Sequence, residues 1–140
     1  MTKEGESDTI NLWYTIGMQE EPMEFIWNEE QGRVKVTLRC LLQNGDGMFW
    51  LYGGDRPHLG AVGIWSRGEE PQVTVFPGHK EGVVVQEAVC RLAGSGKLGN
   101  VTLGCGIHLD RITPEEIALV LTLCRRLTGR LIETLERGEA

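Results

Sequence analysis

Residues 34–42 limit the possible folds of this chain more than any other stretch. Val34, Val36, Leu38, Cys40 and Leu42 alternate with Lys35, Thr37 and Arg39, the period-two signature of a strand with one face on a core. Asn44-Gly45-Asp46-Gly47 follows. A short Asn-Gly turn matches the twist of paired strands, so residues 48–52 are expected to return as the second arm of an antiparallel hairpin. A sheet begun in this way needs another layer on its apolar face, and the rest of the sequence must supply it.

Short strands over residues 12–18 and 23–28, around the acidic turn Gln19-Glu20-Glu21-Pro22, are expected before the hairpin, behind a polar tail over residues 1–10. After the hairpin, Gly53-Gly54-Asp55-Arg56-Pro57 forms a loop into a strand over 59–66. Arg67-Gly68-Glu69-Glu70-Pro71 then turns the chain into a strand over 72–76, so that the sheet grows as a meander. Val84, Val85, Ala88, Val89 and Leu92 recur at helical spacing and predict a helix over 81–92, stopped by Gly94-Ser95-Gly96. Residues 101–110 read as a further strand. Thr113-Pro114-Glu115-Glu116 has a capping Thr, Pro at the first helical position and Glu three residues after the cap. The helix it starts runs to about residue 137, with Ile117, Val120, Leu121, Cys124, Leu127, Leu131 and Leu135 on one stripe. Strands, a helix, a strand and a long helix predict an α+β fold in one domain over residues 11–138. Its largely antiparallel β-sheet meander would carry two packed helices, the longer one C-terminal.

The 140 residues suffice for one core without a disulfide or metal. With 14 basic against 20 acidic side chains, the net charge of -6 argues against a nucleic-acid or anionic-membrane surface. Cys40, Cys90, Cys105 and Cys124 form no C-x-x-C pair and read as reduced thiols of a cytosolic protein. No apolar run approaches the roughly 18 residues of a membrane span, and Met1 to Thr9 lack the apolar region of a secretion signal, so the expected location is the cytoplasm. Gly104-Cys105-Gly106 lacks the later glycine and opening helix of a dinucleotide fingerprint, and no phosphate-binding P-loop occurs. The acidic doublets at 20–21, 29–30, 69–70 and 115–116 lie in turns or at a helix start and read as solvated surface.

All three histidines lie in segments punctuated by Gly or Pro: Arg56-Pro57-His58-Leu59-Gly60, Pro77-Gly78-His79-Lys80-Glu81 and Gly104-Cys105-Gly106-Ile107-His108-Leu109-Asp110. Such positions sit at the ends of elements, where ligands are met. Strand alternation puts Thr102, Gly104, Gly106, His108 and Asp110 on one face, nearly bare backbone, and Val101, Leu103, Cys105, Ile107 and Leu109 on the other. With Gly60 beside His58, that bare face predicts a shelf for a flat ring; the alternative is that the glycines let a helix approach the sheet closely or mark bulges. His79 and Lys80 at a helix start, with Arg56 as a guanidinium fork, suit a phosphate. A metal held by His58, His79 and His108, oriented by Asp110 or Asp55, is a second reading, although intervals of 21 and 29 residues match no ligand motif. Nucleophilic chemistry by Cys105 with His108 is a weaker one, because the two point to opposite strand faces.

The segments Gly54-Asp55-Arg56-Pro57-His58-Leu59-Gly60-Ala61-Val62, Pro77-Gly78-His79-Lys80-Glu81 and Gly106-Ile107-His108-Leu109-Asp110, taken together, resemble the prenylated-flavin chaperone family, the LpdD-like proteins, over roughly residues 34–135. The resemblance implies a fold of the proteasome-assembly-chaperone type, usually dimeric. It implies a carrier or maturation factor, rather than a decarboxylase, for the prenylated FMN of a UbiD-type decarboxylase of aromatic acids. On that basis the isoalloxazine would lie near Gly60, Gly104 and Gly106, and Arg56, His79 and Lys80 would meet the phosphate. His58, His108 and Asp110 would address the polar ring edge or an accompanying divalent cation. Gly82 and the Val83-Val84-Val85 run make the helix start after His79 less helix-favouring than this pattern suggests. The competing classes are an assembly module of the same fold without a small ligand, and a small metal-dependent enzyme.

Overall fold

Tight turns build the first half of the sheet. The computed structural model describes residues 21–140; the expected tail over 1–10, the strand over 12–18 and the first half of the acidic turn lie outside the described residues. Strand β1 (Met23–Gln31) turns at Gly32-Arg33 into β2 (Val34–Gln43), and β2 turns at Asn44-Gly45 into β3 (Asp46–Gly54). Asn44 and Gly45 both have positive φ, 53° and 82°. A two-residue hairpin turn with the right twist demands this pair of angles, and Asn-Gly meets the demand with little strain. The expected hairpin is present, with Leu38 opposite Leu51.

A second antiparallel hairpin, β4 (Ala61–Ser66) and β5 (Gln72–Val75), leads into helix α1 (Gly82–Gly94), strand β6 (Asn100–His108) and helix α2 (Pro114–Glu136). The sheet order is β1-β2-β3-β6-β4-β5. All neighbours are antiparallel except β3 and β6, which run parallel. The α+β class and both helices are as expected, but the meander is interrupted where β6 enters between β3 and β4. Val101, Leu103 and Cys105 are almost wholly buried, so β6 gains from a central position in which both backbone edges are hydrogen-bonded. The short β5, half-buried only at Val73, is left at the edge.

Both helices cover the same face of the sheet: α1 packs on β4, β5 and β6, α2 packs on β1 and β2, and the helices touch. Val34, Val36, Leu38, Leu51, Leu103 and Leu127 fill the layer between. The α2 stripe is buried at Val120, Cys124, Leu127, Leu131 and Leu135, but Ile117 at its head is 50% exposed. The opposite sheet face leaves Ile26, Met48 and Ile64 in solvent. Among the described residues, no helix is long and apolar enough to cross a membrane.

The start of α2 is fixed as its sequence predicts. The Thr113 hydroxyl accepts from Glu116 N at 3.1 Å, and the Glu116 carboxylate accepts from Thr113 N at 3.0 Å. Urea unfolding is expected to show a loss of about 1 kcal/mol for Thr113→Ala and about 2–5 kcal/mol for Leu103→Ala. Equal losses would mean that Leu103 is not a core residue of the kind described.

Candidate functional site

Strands β3 and β6 end side by side, with Gly54 opposite His108. The chain leaving β3 then folds back over β6. Asp55 N and Arg56 N donate to the His108 carbonyl at 2.6 and 3.4 Å, and Gly60 N donates to the Cys105 carbonyl at 2.8 Å. A Cβ at residue 106 would collide with the His58 carbonyl, and one at residue 104 would lie 3.1 Å from Leu59 Cδ1. A Cβ at residue 60 would strike the Glu81 carboxylate. The expected shelf of bare backbone over Gly60, Gly104 and Gly106 is therefore filled by the protein itself. A tethered loop fills such a surface without the association entropy that a free ligand loses. Gly104 and Gly106 lie beneath the loop that carries His58, and Gly60 ends that loop against Glu81.

This docking gathers the histidines. The His58 ring meets His79 edge-on at 4.6 Å between centroids and lies 5.7 Å from His108. His108 Nε2 is 3.1 Å from Asp110 Oδ1 and 3.2 Å from Arg56 Nη2, and Arg56 Nη2 donates to Asp110 Oδ1 at 2.7 Å. Hydrogen bonds from Arg56, and then from His108, hold the Asp110 carboxyl below the usual carboxylate range. The same ring nitrogen thus faces a donor and an acceptor, and the choice between them sets its tautomer. Among the described residues, no group of three or more His, Cys, Asp or Glu side chains is arranged to hold a metal ion. Cys105 is fully buried, and burial drives its thiol far from the thiolate form, which removes the physical basis for a nucleophilic role.

Two further residues, absent from the sequence-derived site, hold these segments in position. Arg33, in the β1–β2 turn, forks onto Glu116 with Nε and Nη2 at 2.6 and 2.9 Å. It also reaches Asp55 Oδ2 at 3.3 Å and the Asp110 carbonyl at 2.7 Å. Asp55 in turn accepts from Asp110 N at 3.0 Å. No local pattern marks Arg33, because its partners are 22 to 83 residues away. Glu81 was visible only as the last residue of the His79 segment. Its carboxylate accepts from Lys80 N at 3.0 Å and from Ile107 N at 3.2 Å, and stands 3.5 Å from His79 Nδ1. It therefore brings a negative charge to the helix start where an anion was expected, although it does not cap α1. The Lys80 ammonium is paired with no carboxylate among the described residues.

Beside the histidines lies an open pocket of about 450 Å³, between the first turns of α1 and α2 and the end of β6. Small-molecule sites are roughly 300–1,000 Å³ and mostly apolar. His79, Lys80, Glu81 and His108 form a polar rim, and the walls are aliphatic. Of the residues expected at the site, His79, Lys80 and His108 line this pocket, Arg56, His58 and Asp110 are joined to them through ring contacts and hydrogen bonds, and Gly104 and Gly106 stay under the loop that Gly60 ends.

Gly106→Ala is expected to lift the loop from β6, lowering stability by about 1–3 kcal/mol through overpacking and shifting the NMR resonances of all three imidazoles. Unmoved His58 resonances would contradict the docking. Glu116 also sets a pH window. Arg33 lowers its carboxyl from 4.5 to about 2, so the stabilisation is fully present above pH 4.5 and is lost as pH falls toward 2. The stability gap between wild type and Arg33→Ala should shrink through that window in acid unfolding; a gap constant down to pH 2 would exclude the ion pair as its source.

Residues 30–136 match the family described as the prenylated flavin chaperone LpdD-like domain. Protein LpdD of Lactiplantibacillus plantarum is 26% identical over 88 residues, covering 60% of this chain and 65% of that protein. The chain thus spans about two-thirds of the length of that curated relative. A chain from the crystal structure of a chaperone complex for yeast 20S proteasome assembly has the same fold. Its TM-score is 0.50 at 10% identity, over 81% of this chain and 98% of that one.

Proposed function

Because the chain belongs to the prenylated flavin chaperone LpdD-like family, we propose that it binds prenylated FMN and carries or matures it for a UbiD-type decarboxylase of aromatic acids. The observation that carries this reading is the meeting of His58, His79 and His108, from three separate segments, beside an apolar pocket whose polar rim includes His79 and His108. The cofactor brings the ring chemistry, and the chain supplies binding, orientation and electrostatics. Lys80, His79 and Arg56 take the phosphate. Arg56 engages Asp110 and His108 through Nη2, and its Nε and Nη1 donors, which have no hydrogen-bond partner among the described residues, would serve the phosphate. His58, His108 and Asp110 address the polar edge of the ring or an accompanying cation. The ring itself lies in the pocket, because Gly60, Gly104 and Gly106 are already covered.

Carriage is favoured over turnover by the chemistry of the acidic groups. Asp110 and Glu116 are both shifted toward permanent ionisation by their arginine partners, the opposite of a general acid tuned to neutral pH. The exposed Ile26, Met48 and Ile64 on the outer sheet face favour a protein partner there, either a second copy in a homodimer or the client decarboxylase. The same face supports the second reading, an assembly module without a small ligand. In that case His58→Ala, His79→Ala and His108→Ala would leave partner binding unchanged.

The protein is expected to retain prenylated FMN after anaerobic incubation with the reduced cofactor, desalting and absorbance measurement. Each histidine variant should lose on the order of tenfold in affinity, as for a hydrogen bond to a charged group. No flavin retained at micromolar protein contradicts the proposal. Stoichiometric zinc or manganese in the purified protein would favour the metal-dependent enzyme instead.

A further inference from the structure

We infer that the apolar side chains around the mouth of the pocket form the surface on which the cofactor-receiving enzyme docks, through an apolar patch edged with carboxylates. The inference rests on the carrier reading above and adds the face through which the cofactor is handed over.

Val75, Phe76, Val83, Ile112 and Ile117 are all between 39% and 66% exposed. They come from the end of β5, the residue after it, the first turn of α1, the loop before α2 and the first turn of α2. Packing draws them together. A Cβ at residue 82 would lie 2.8 Å from Val75 Cγ2, His79 N donates to the Phe76 carbonyl at 3.1 Å, and Val83, Ile112 and Ile117 border the pocket itself. Isolated exposed apolar side chains are ordinary, whereas a cluster of them marks an interaction surface.

A small ligand does not account for this cluster. Val75 and Phe76 stand outside the pocket lining, so a molecule held within the pocket leaves both in water. A protein laid across the mouth covers all of them, and Phe76 offers an aromatic anchor of the kind that dominates interface energetics. Among the described residues no strand pairs with the outer edge of β5, so this side is open to a partner. A mouth covered in this way passes the cofactor on while excluding water.

The charges at the rim give the partner its chemistry. Asp55, Asp110 and Glu116 are engaged by Arg33 and Arg56, and Glu81 is turned onto backbone amides. Lys80, and the exposed Arg111 next to Ile112, meet no carboxylate among the described residues. In a chain of net charge -6, these cations favour an acidic edge on the partner. Glu115, in the first turn of α2, is likewise unpaired among the described residues, so the partner's carboxylates belong on the Lys80 and Arg111 side. The outer sheet face, with Ile26, Met48 and Ile64, is then left to a second copy.

The test titrates the full chain, loaded with prenylated FMN, with the apo form of a UbiD-type decarboxylase by calorimetry, using wild type, Phe76→Asp, Arg111→Glu and Ile26→Asp. Retained flavin and melting temperature are measured for each. Phe76 and Arg111 are exposed and line no part of the pocket, so both variants are expected to keep the fold and the flavin. Phe76→Asp should weaken binding of the decarboxylase at least about tenfold, Arg111→Glu about threefold or more at low salt, and Ile26→Asp not at all. Should Phe76→Asp lower the melting temperature, Phe76→Ser takes its place with the same expectation. Wild type that retains the flavin without binding the decarboxylase, or binding that is lost in Ile26→Asp and kept in the Phe76 variant, overturns the docking surface and leaves the flavin reading standing. Binding unchanged by Arg111→Glu overturns the acidic edge. Wild type that retains no flavin overturns both the inference and the reading beneath it.

Discussion

Where the loop of residues 55–60 crosses β6, the carbonyl of His58 occupies the volume that a Cβ at residue 106 would require. The rest of the site follows from this contact. It lets backbone lie on backbone, and the Gly60 to Cys105 hydrogen bond holds the far end of the loop in register. His58 is thereby brought between His79, which comes from the turn before α1, and His108 at the end of β6. The parallel pairing of β3 with β6 makes it possible, since parallel neighbours finish at the same edge and release their loops together. The insertion of β6 into the sheet is thus also what brings two of the histidine segments together.

The electrostatics of this edge are balanced rather than strongly basic. Arg33 is shared among Glu116, Asp55 and the Asp110 carbonyl, so the turn after β1, the loop after β3, the loop after β6 and the start of α2 are tied by one guanidinium. Its planar fork suits this task in a way that a lysine would not. Arg56 is held against Asp110 and His108, Glu81 sits beside His79, and the Lys80 ammonium meets no carboxylate among the described residues. An anion arriving here would meet donors already oriented and a net charge close to neutral. Such an arrangement favours selective and reversible holding over tight capture of any phosphate.

Much of this was legible in the sequence because it depends on short-range physics. The Asn44-Gly45 turn and the Thr113 capping box involve residues within four positions of one another, and the alternation over 34–42 needs only a two-sided sheet. The Gly and Pro around each histidine correctly marked element ends. The position of β6 was not legible, because strand order depends on which distant edges pair. The bare glycine face was read as a surface for a ligand, but from one strand alone nothing tells whether a ligand or the protein's own loop covers it; the loop does. Arg33 left no trace, since an arginine in a surface turn looks the same whether solvated or engaged with a residue 83 positions away. Ile117 was assigned to the core stripe on period, and its exposure came into view only with the pocket it borders.

The central claim is that three imidazoles from separate segments act as one end of a single flavin site. Imidazole-detected NMR of the full chain during anaerobic titration with reduced prenylated FMN tests it most directly. The account predicts that the resonances of His58, His79 and His108 all move with one common dissociation constant. Saturable binding of the flavin that leaves the three imidazoles where they were, or shifts them with unrelated affinities, would contradict it.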